Sequence, residues 1–196
     1  MTTLLTRFLC ASTFFCLVSG AAEISHGPLL GGVTDHSAGI WFRTDESATV
    51  TVALESPAGQ KSTAVTTDPK SDFMGTARFD VLAPDTTYKY RVTVEDAPSY
   101  EASFKTSGPK LAQAPLTVVF GSCYKPQFEI TGGPTTFQRM AERKAGVALF
   151  IGDFPYTVRG ELADIRAGHR AIRAIPGFRD LTSGTPTYAI WDDHEF

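Results

Sequence analysis

Polar and apolar positions along this chain change rhythm near its middle. From Glu23 to about Ser107 the period is two. Val50, Val52 and Leu54 fall on one face of Thr49–Leu54, with Thr51 and Ala53 on the other. Over Thr87–Val94 the residues Tyr88, Tyr90, Val92 and Val94 alternate with Lys89, Arg91 and Thr93. Gly39–Arg43 and Phe79–Leu82 read as two further strands. Ser56-Pro57-Ala58-Gly59, Asp68-Pro69 and Ala83-Pro84-Asp85 punctuate them as turns. Short alternating strands without a helical stretch among them predict an antiparallel β-sandwich.

One segment sharpens that expectation. Leu82-Ala83-Pro84-Asp85-Thr86-Thr87-Tyr88-Lys89-Tyr90 resembles the tyrosine-corner entry into a late strand of fibronectin type III domains. The resemblance implies a tyrosine with a buried ring whose hydroxyl hydrogen-bonds nearby backbone. The sandwich is expected over 23–108, with His26 and His36 at its surface or turns.

Past a Pro- and Gly-containing linker at 109–115 the grammar changes. Leu116–Phe120, Val147–Ile151 and Tyr188–Trp191 are continuous apolar runs, as expected of strands buried on both faces. Thr135–Lys144 can form a helix between the first two. Glu161–Ile175 carries Leu162, Ile165, Ile172 and Ile175 along one stripe and is stopped by Pro176-Gly177. Arg166, Arg170 and Arg173 read as its solvated face, with His169 partly exposed. Strand, helix, strand, helix, strand predicts a parallel α/β sheet. The fold class is therefore mixed: an N-terminal antiparallel β-sandwich of fibronectin III or Ig type, then an α/β domain over 116–196.

The first residues add a compartment. Arg7, the apolar stretch Phe8–Val18 and the small residues Ser19-Gly20-Ala21-Ala22 form a Sec-type export signal over 1–22. The eleven residues of that stretch, at ~1.5 Å each, fall short of a ~30 Å hydrocarbon core, so no stable membrane anchor is expected. Removal of the signal takes Cys10 and Cys16 with it and leaves Cys123 as a single thiol, available as a ligand or simply buried. A secreted or periplasmic location follows. The chain of 196 residues is 42% hydrophobic and 20% charged with net charge −3, which excludes a disordered or collagen-like chain. No basic face or tail is present, so no specific nucleic-acid binding is expected.

Ligands of parallel sheets collect beyond the carboxyl ends of the strands. Three such ends carry reactive residues: Gly121-Ser122-Cys123, Gly152-Asp153-Phe154-Pro155-Tyr156 and Asp192-Asp193-His194-Glu195. Asp153 after a turn-permitting glycine can bridge two cations, and Tyr156 can ligate hard trivalent iron. Asp193 suits a second ion, while His194 can protonate a leaving oxygen. Two ions ~3.5–4 Å apart stabilise the attacking and departing oxygens of a phosphoryl displacement.

At these residues the sequence resembles the alkaline phosphatase D (PhoD-like) group of calcineurin-like metallophosphoesterases. The matching stretches are Phe120-Gly121-Ser122-Cys123, Gly152-Asp153-Phe154-Pro155-Tyr156 and Trp191-Asp192-Asp193-His194-Glu195. The resemblance implies an exported phosphomonoesterase or phosphodiesterase that uses metal-activated hydroxide, with Fe3+ and Ca2+ or other divalent ions. It makes Cys123 a thiolate ligand, Asp153 the bridge, Tyr156 an iron ligand, Asp193 a second-ion ligand and His194 the general acid. It covers the N-terminal part of the family's catalytic domain, so the α/β domain is expected to be partial and turnover weak. The alternatives are an extracellular sandwich that binds a partner beside a vestigial catalytic part, and a hydrolase using Cys123 as nucleophile.

Overall fold

The computed structural model describes residues 21–94, 97, 100–109, 115–125, 135–156 and 161–195. The export signal expected over 1–22 lies outside them except for Ala21 and Ala22, and most of the expected linker lies outside them too. Ala22 is packed against the sandwich core. No helix among the described residues is long and apolar enough to cross a membrane.

Seven strands form two antiparallel sheets. β1 (Ile24–Gly31), β2 (Ala38–Thr44) and β5 (Met74–Phe79) make one, in the order β1-β2-β5. β3 (Thr49–Ser56), β4 (Gly59–Thr66), β6 (Thr87–Val94) and β7 (Tyr100–Lys105) make the other, ordered β4-β3-β6-β7. Alternation directs one side of each strand inward. Val50, Val52 and Leu54 of β3 are fully buried against Val92 and Val94 of β6 and Ile40 and Phe42 of β2. Each such side chain contributes ~1.5–3 kcal/mol by leaving water. Tyr88 closes the corner as expected: its buried hydroxyl accepts a hydrogen bond from the Ala83 N–H at 2.8 Å.

One strand is displaced from its expected position. The pattern placed it at Phe79–Leu82, whereas β5 ends at Phe79. Val81 takes a positive φ of 56° and is exposed, which ends the extended backbone. His36 is exposed, but His26 is a half-buried member of β1 rather than a surface or turn residue.

The second part is a parallel sheet of order β10-β9-β8, built from β8 (Val118–Gly121), β9 (Val147–Ile151) and β10 (Thr187–Ile190). α1 (Thr136–Glu142) follows β8. α2 (Leu162–Arg173) and α3 (Pro176–Gly184) follow β9. Pro176-Gly177 does stop α2, but proline at the first helical position also starts α3 at once. α1 begins with a reciprocal box in which the Thr135 side chain accepts from the Gln138 N–H and Gln138 Oε1 accepts from the Thr135 N–H. Gly177 lies against this box, where a Cβ would come 2.6 Å from both Thr135 Oγ1 and Gln138 Cγ.

These helices share one core with the sheet, in which Phe137, Phe150, Phe154, Phe178, Ile172 and Leu181 are buried. The strands were expected to be buried on both faces. Instead, Phe120, Tyr188 and Ile190 are exposed on the face opposite this core, because all three helices contribute to the same side. Leu162 is likewise exposed rather than on the buried stripe of α2.

The two parts are tied together by polar contacts. The Tyr90 hydroxyl donates to the Ser183 carbonyl at 2.7 Å, and the Tyr188 hydroxyl to the Val33 carbonyl at 3.1 Å. Burial pushes the Tyr90 phenol above its ordinary pKa, keeping it a neutral donor. Asp72 accepts from Arg43 of β2 at 3.2 Å and from Arg170 of α2 at 2.9 Å.

Candidate metal centre

The parallel register sets where the reactive loops emerge. Gly121 pairs with Phe150, and Ile151 with Ile190, so all three strands finish at one edge. Backbone pairing continues past the strands. The Cys123 N–H donates to the Gly152 carbonyl at 3.3 Å, and the Tyr124 N–H to the Asp153 carbonyl at 3.2 Å. The Tyr156 N–H donates in turn to the Tyr124 carbonyl at 3.4 Å. Cys123 and Asp153 both occupy the left-handed region, with φ of 54° and 51°. Non-glycine residues held there carry backbone strain, which concentrates at functional loops.

Gly152, at φ 98°, has a second reason to lack a side chain. A Cβ on it would lie 2.7 Å from Cβ of Asp192, so the third loop crosses directly over the second. Phe154 anchors the same loop from below. Its ring stacks on Phe150 at 4.0 Å between centroids and 12° between planes. Asp153 is therefore fixed between a strained backbone and a buried ring.

The structure brings all five sequence-predicted residues to this edge. A ligand atom each from Asp153, Asp193 and His194 lies within 4.8 Å of the others. The Cys123 Sγ donates to Asp153 Oδ2 at 3.4 Å, and Cys123 is exposed. The Tyr156 ring stacks on His194 with centroids 3.6 Å apart. Asp153 is only 8% exposed, and its Oδ1 is buried without a hydrogen-bond partner among the described residues. An unsatisfied buried carboxylate oxygen costs free energy unless a cation or donor meets it. The donor set fits cations: hard carboxylate and phenol oxygens, a softer sulfur and an imidazole nitrogen.

Sequence reasoning missed two parts of this edge. Lys125 Nζ sits 3.7 Å from the Tyr156 ring centroid, on a loop where a lysine two residues after Cys123 was a readable signal. Asp192 packs over Gly152 and accepts from the Asp193 N–H at 3.0 Å, a role that only the loop crossing reveals.

Residues 21–110 match a protein-family model described as a domain of unknown function (DUF7800). A comparison with curated proteins gave no match. Among solved structures, the structure of PhoD is similar with a TM-score of 0.74 and 19% identity, over 87% of this chain and 39% of that one. The fold is PhoD-like. A purple acid phosphatase, PPD1 from yellow lupin (Lupinus luteus) seeds, is similar with a TM-score of 0.59 and 14% identity. That match covers 88% of this chain and 35% of the phosphatase. The chain thus spans less than half the length of either structure. At these identities the likeness to both structures is one of fold.

Proposed function

We propose that this chain carries the metal centre of an exported phosphoesterase of alkaline phosphatase D type, acting on phosphate monoesters or diesters. The observation that carries the reading is the Asp153 carboxylate, buried at the meeting point of three strand-end loops with one oxygen that has no hydrogen-bond partner among the described residues. Cys123, Asp153 and Tyr156 would hold one cation and Asp153 and Asp193 a second, with Fe3+ and Ca2+ the pair that suits these donors. When bound, such cations supply positive charge to the oxygens of the phosphoryl group.

The chain's own residues do the rest. Asp153 is positioned by its left-handed backbone and by the buried Phe154, so its carboxylate need not reorganise. His194, held by the Tyr156 ring, donates a proton to the leaving-group oxygen. Lys125 adds positive charge beside Tyr156 and draws an anionic ester toward the edge.

Metal content after loading with ferric iron and calcium, followed by hydrolysis of an aryl phosphate, tests the reading. Wild type is expected to retain metal and to hydrolyse the ester weakly but measurably. Asp153→Asn is expected to lose metal and turnover together, and His194→Ala to lose turnover while keeping metal. Retention of both ions by Asp153→Asn would remove the basis of the proposal.

A further inference from the structure

A separate cavity of ≈ 390 Å³ opens where the sandwich meets α2. That volume lies in the ~300–1,000 Å³ range of small-molecule sites. Its walls come from three elements that sequence order keeps far apart: Trp41, Arg43 and Met74 of the sandwich, Ile165 and its neighbours on α2, and Trp191 after β10.

The cavity is strongly unbalanced in charge. Arg43, Arg166, Arg170 and Arg173 line it against a single carboxylate, Asp72. Asp72 is already shared between Arg43 and Arg170. Arg166 makes no hydrogen bond or ion pair with any described residue. Arg173 lies over the Trp41 ring at 5.0 Å, and its Nη1 meets His169 Nδ1 at 2.7 Å. The Nε atoms of Arg43 and Arg173 are buried without hydrogen-bond partners among the described residues. Burial draws Arg173 down to about 10, which leaves it charged at neutral pH.

A second group registers the same excess. His26 is held below its ordinary pKa by burial first, and then by the charges of Arg43, Arg170, Arg173 and Arg179. Gathering arginines on one helix face at i, i+4 and i+7, and then closing a fourth over them, opposes stability. An anion offsets that cost. Both tryptophans of the chain line the cavity, Trp41 beneath the Arg173 guanidinium and Trp191 largely exposed, and such walls suit a flat, hydrophobic remainder.

We propose that this cavity binds an aromatic oxyanion, its ring against Trp41 and Trp191 and its phosphonate, sulfonate or carboxylate head on Arg166 and Arg170. The cavity adjoins the strand-end loops through Phe154 and Trp191, but its arginines are not among the candidate metal ligands, and the proposal does not depend on the phosphoesterase reading. Guanidinium groups are suited to such a head because they offer paired donors and remain weakly hydrated.

Trp41 and Trp191 are the chain's only tryptophans, so intrinsic fluorescence reads the cavity directly. The protein is treated with a chelator and titrated with phenylphosphonate, with inorganic phosphate and benzyl alcohol as one-feature controls. A saturable change is expected with phenylphosphonate, at an affinity at least about tenfold above either control. Arg166→Glu is expected to weaken it by about tenfold or more, and Arg166→Gln to weaken it less, both with unchanged circular dichroism. Asp153→Asn, at the metal centre, is expected to leave it unchanged. The proposal is overturned by a non-saturable response, by equal affinity in both Arg166 variants, or by loss of the response in Asp153→Asn.

Discussion

Replacing Asp153 by asparagine separates a metal ligand from a structural hydrogen-bonding residue, because the two roles give opposite signs in the cation-free protein. The Asp153 and Asp193 oxygens lie within 4.8 Å of each other. Two unit charges at that distance repel by ~0.9 kcal/mol in water and ~3.5 kcal/mol at an effective dielectric near 20. Asp193 is exposed, which places the pair toward the lower value, about 1 kcal/mol. Asparagine removes this repulsion and the cost of the buried charge, and forfeits only a weak thiol hydrogen bond of 3.4 Å. Without cations Asp153→Asn is therefore expected to be the more stable protein by about 1 kcal/mol, or ~2–4 °C in melting temperature. Cations reverse the order. At a concentration a hundred times its Kd, a bound ion adds ~2.7 kcal/mol to wild type, or ~5–11 °C, and nothing to the variant. Thermal melts by circular dichroism in chelator, then with calcium or ferric iron, measure both halves. A cation-free variant melting several degrees below wild type, or equal gains in the two proteins, would refute this account of the carboxylate.

Four further perturbations follow from the same geometry. Phe154→Ala empties a buried ring position in the aromatic cluster and is expected to cost ~3–5 kcal/mol in urea unfolding, with metal affinity falling in parallel. Gly152→Ala places a Cβ 2.7 Å from Asp192 at a φ of 98°, so it is expected to destabilise the chain by more than ~1 kcal/mol and to weaken metal binding. For Asp72, burial alone would raise the pKa, but hydrogen bonds and charge from Arg43 and then Arg170 outweigh it and hold the carboxyl below its ordinary value. Its contribution is thus present above ~pH 4 and lost as pH falls through the lower folded value; Asp72→Asn is expected to remove ~1.5–3 kcal/mol at pH 7 and much of that acid dependence. His26 has a depressed pKa from burial and the nearby arginines, so protonation opposes folding. Stability is expected to decline as pH falls below ~6.5 and on through the folded value, and His26→Asn to flatten that decline in a pH series of denaturant melts.

The sandwich and the candidate metal edge were legible for different reasons. Period-two burial determines which residues of β3 and β6 face inward, and a tyrosine corner needs only local geometry, so both follow from short segments. The strand-end motifs were legible because a parallel sheet delivers every carboxyl end to one rim, whatever fills the space between. β1 and β4 carry less regular patterns, whereas β7 alternates cleanly over only six residues. β1 is bulged near His26 and Leu29, and β4 exposes most of its residues, so neither shows a clean alternation.

What no single segment could show is how the two parts close on each other. Arg166, Arg170 and Arg173 at i, i+4 and i+7 are the pattern of a solvated helix face, and in isolation α2 would present them to water. Docking changes their surroundings without changing their spacing. Asp72, 98 residues upstream of Arg170, reaches α2 from a left-handed position after a single 3-10 turn, and Trp41 stacks on Arg173. The same three arginines thereby become a wall of the cavity beside the sandwich. Their partners are fixed by the register of β2 with β5 and by the start of α2 after β9, two choices made in separate parts of the chain. A charge pattern on one helix thus acquires its chemical meaning only when the opposing surface is known, and here that surface turns a solubilising stripe into a receptor for an anion.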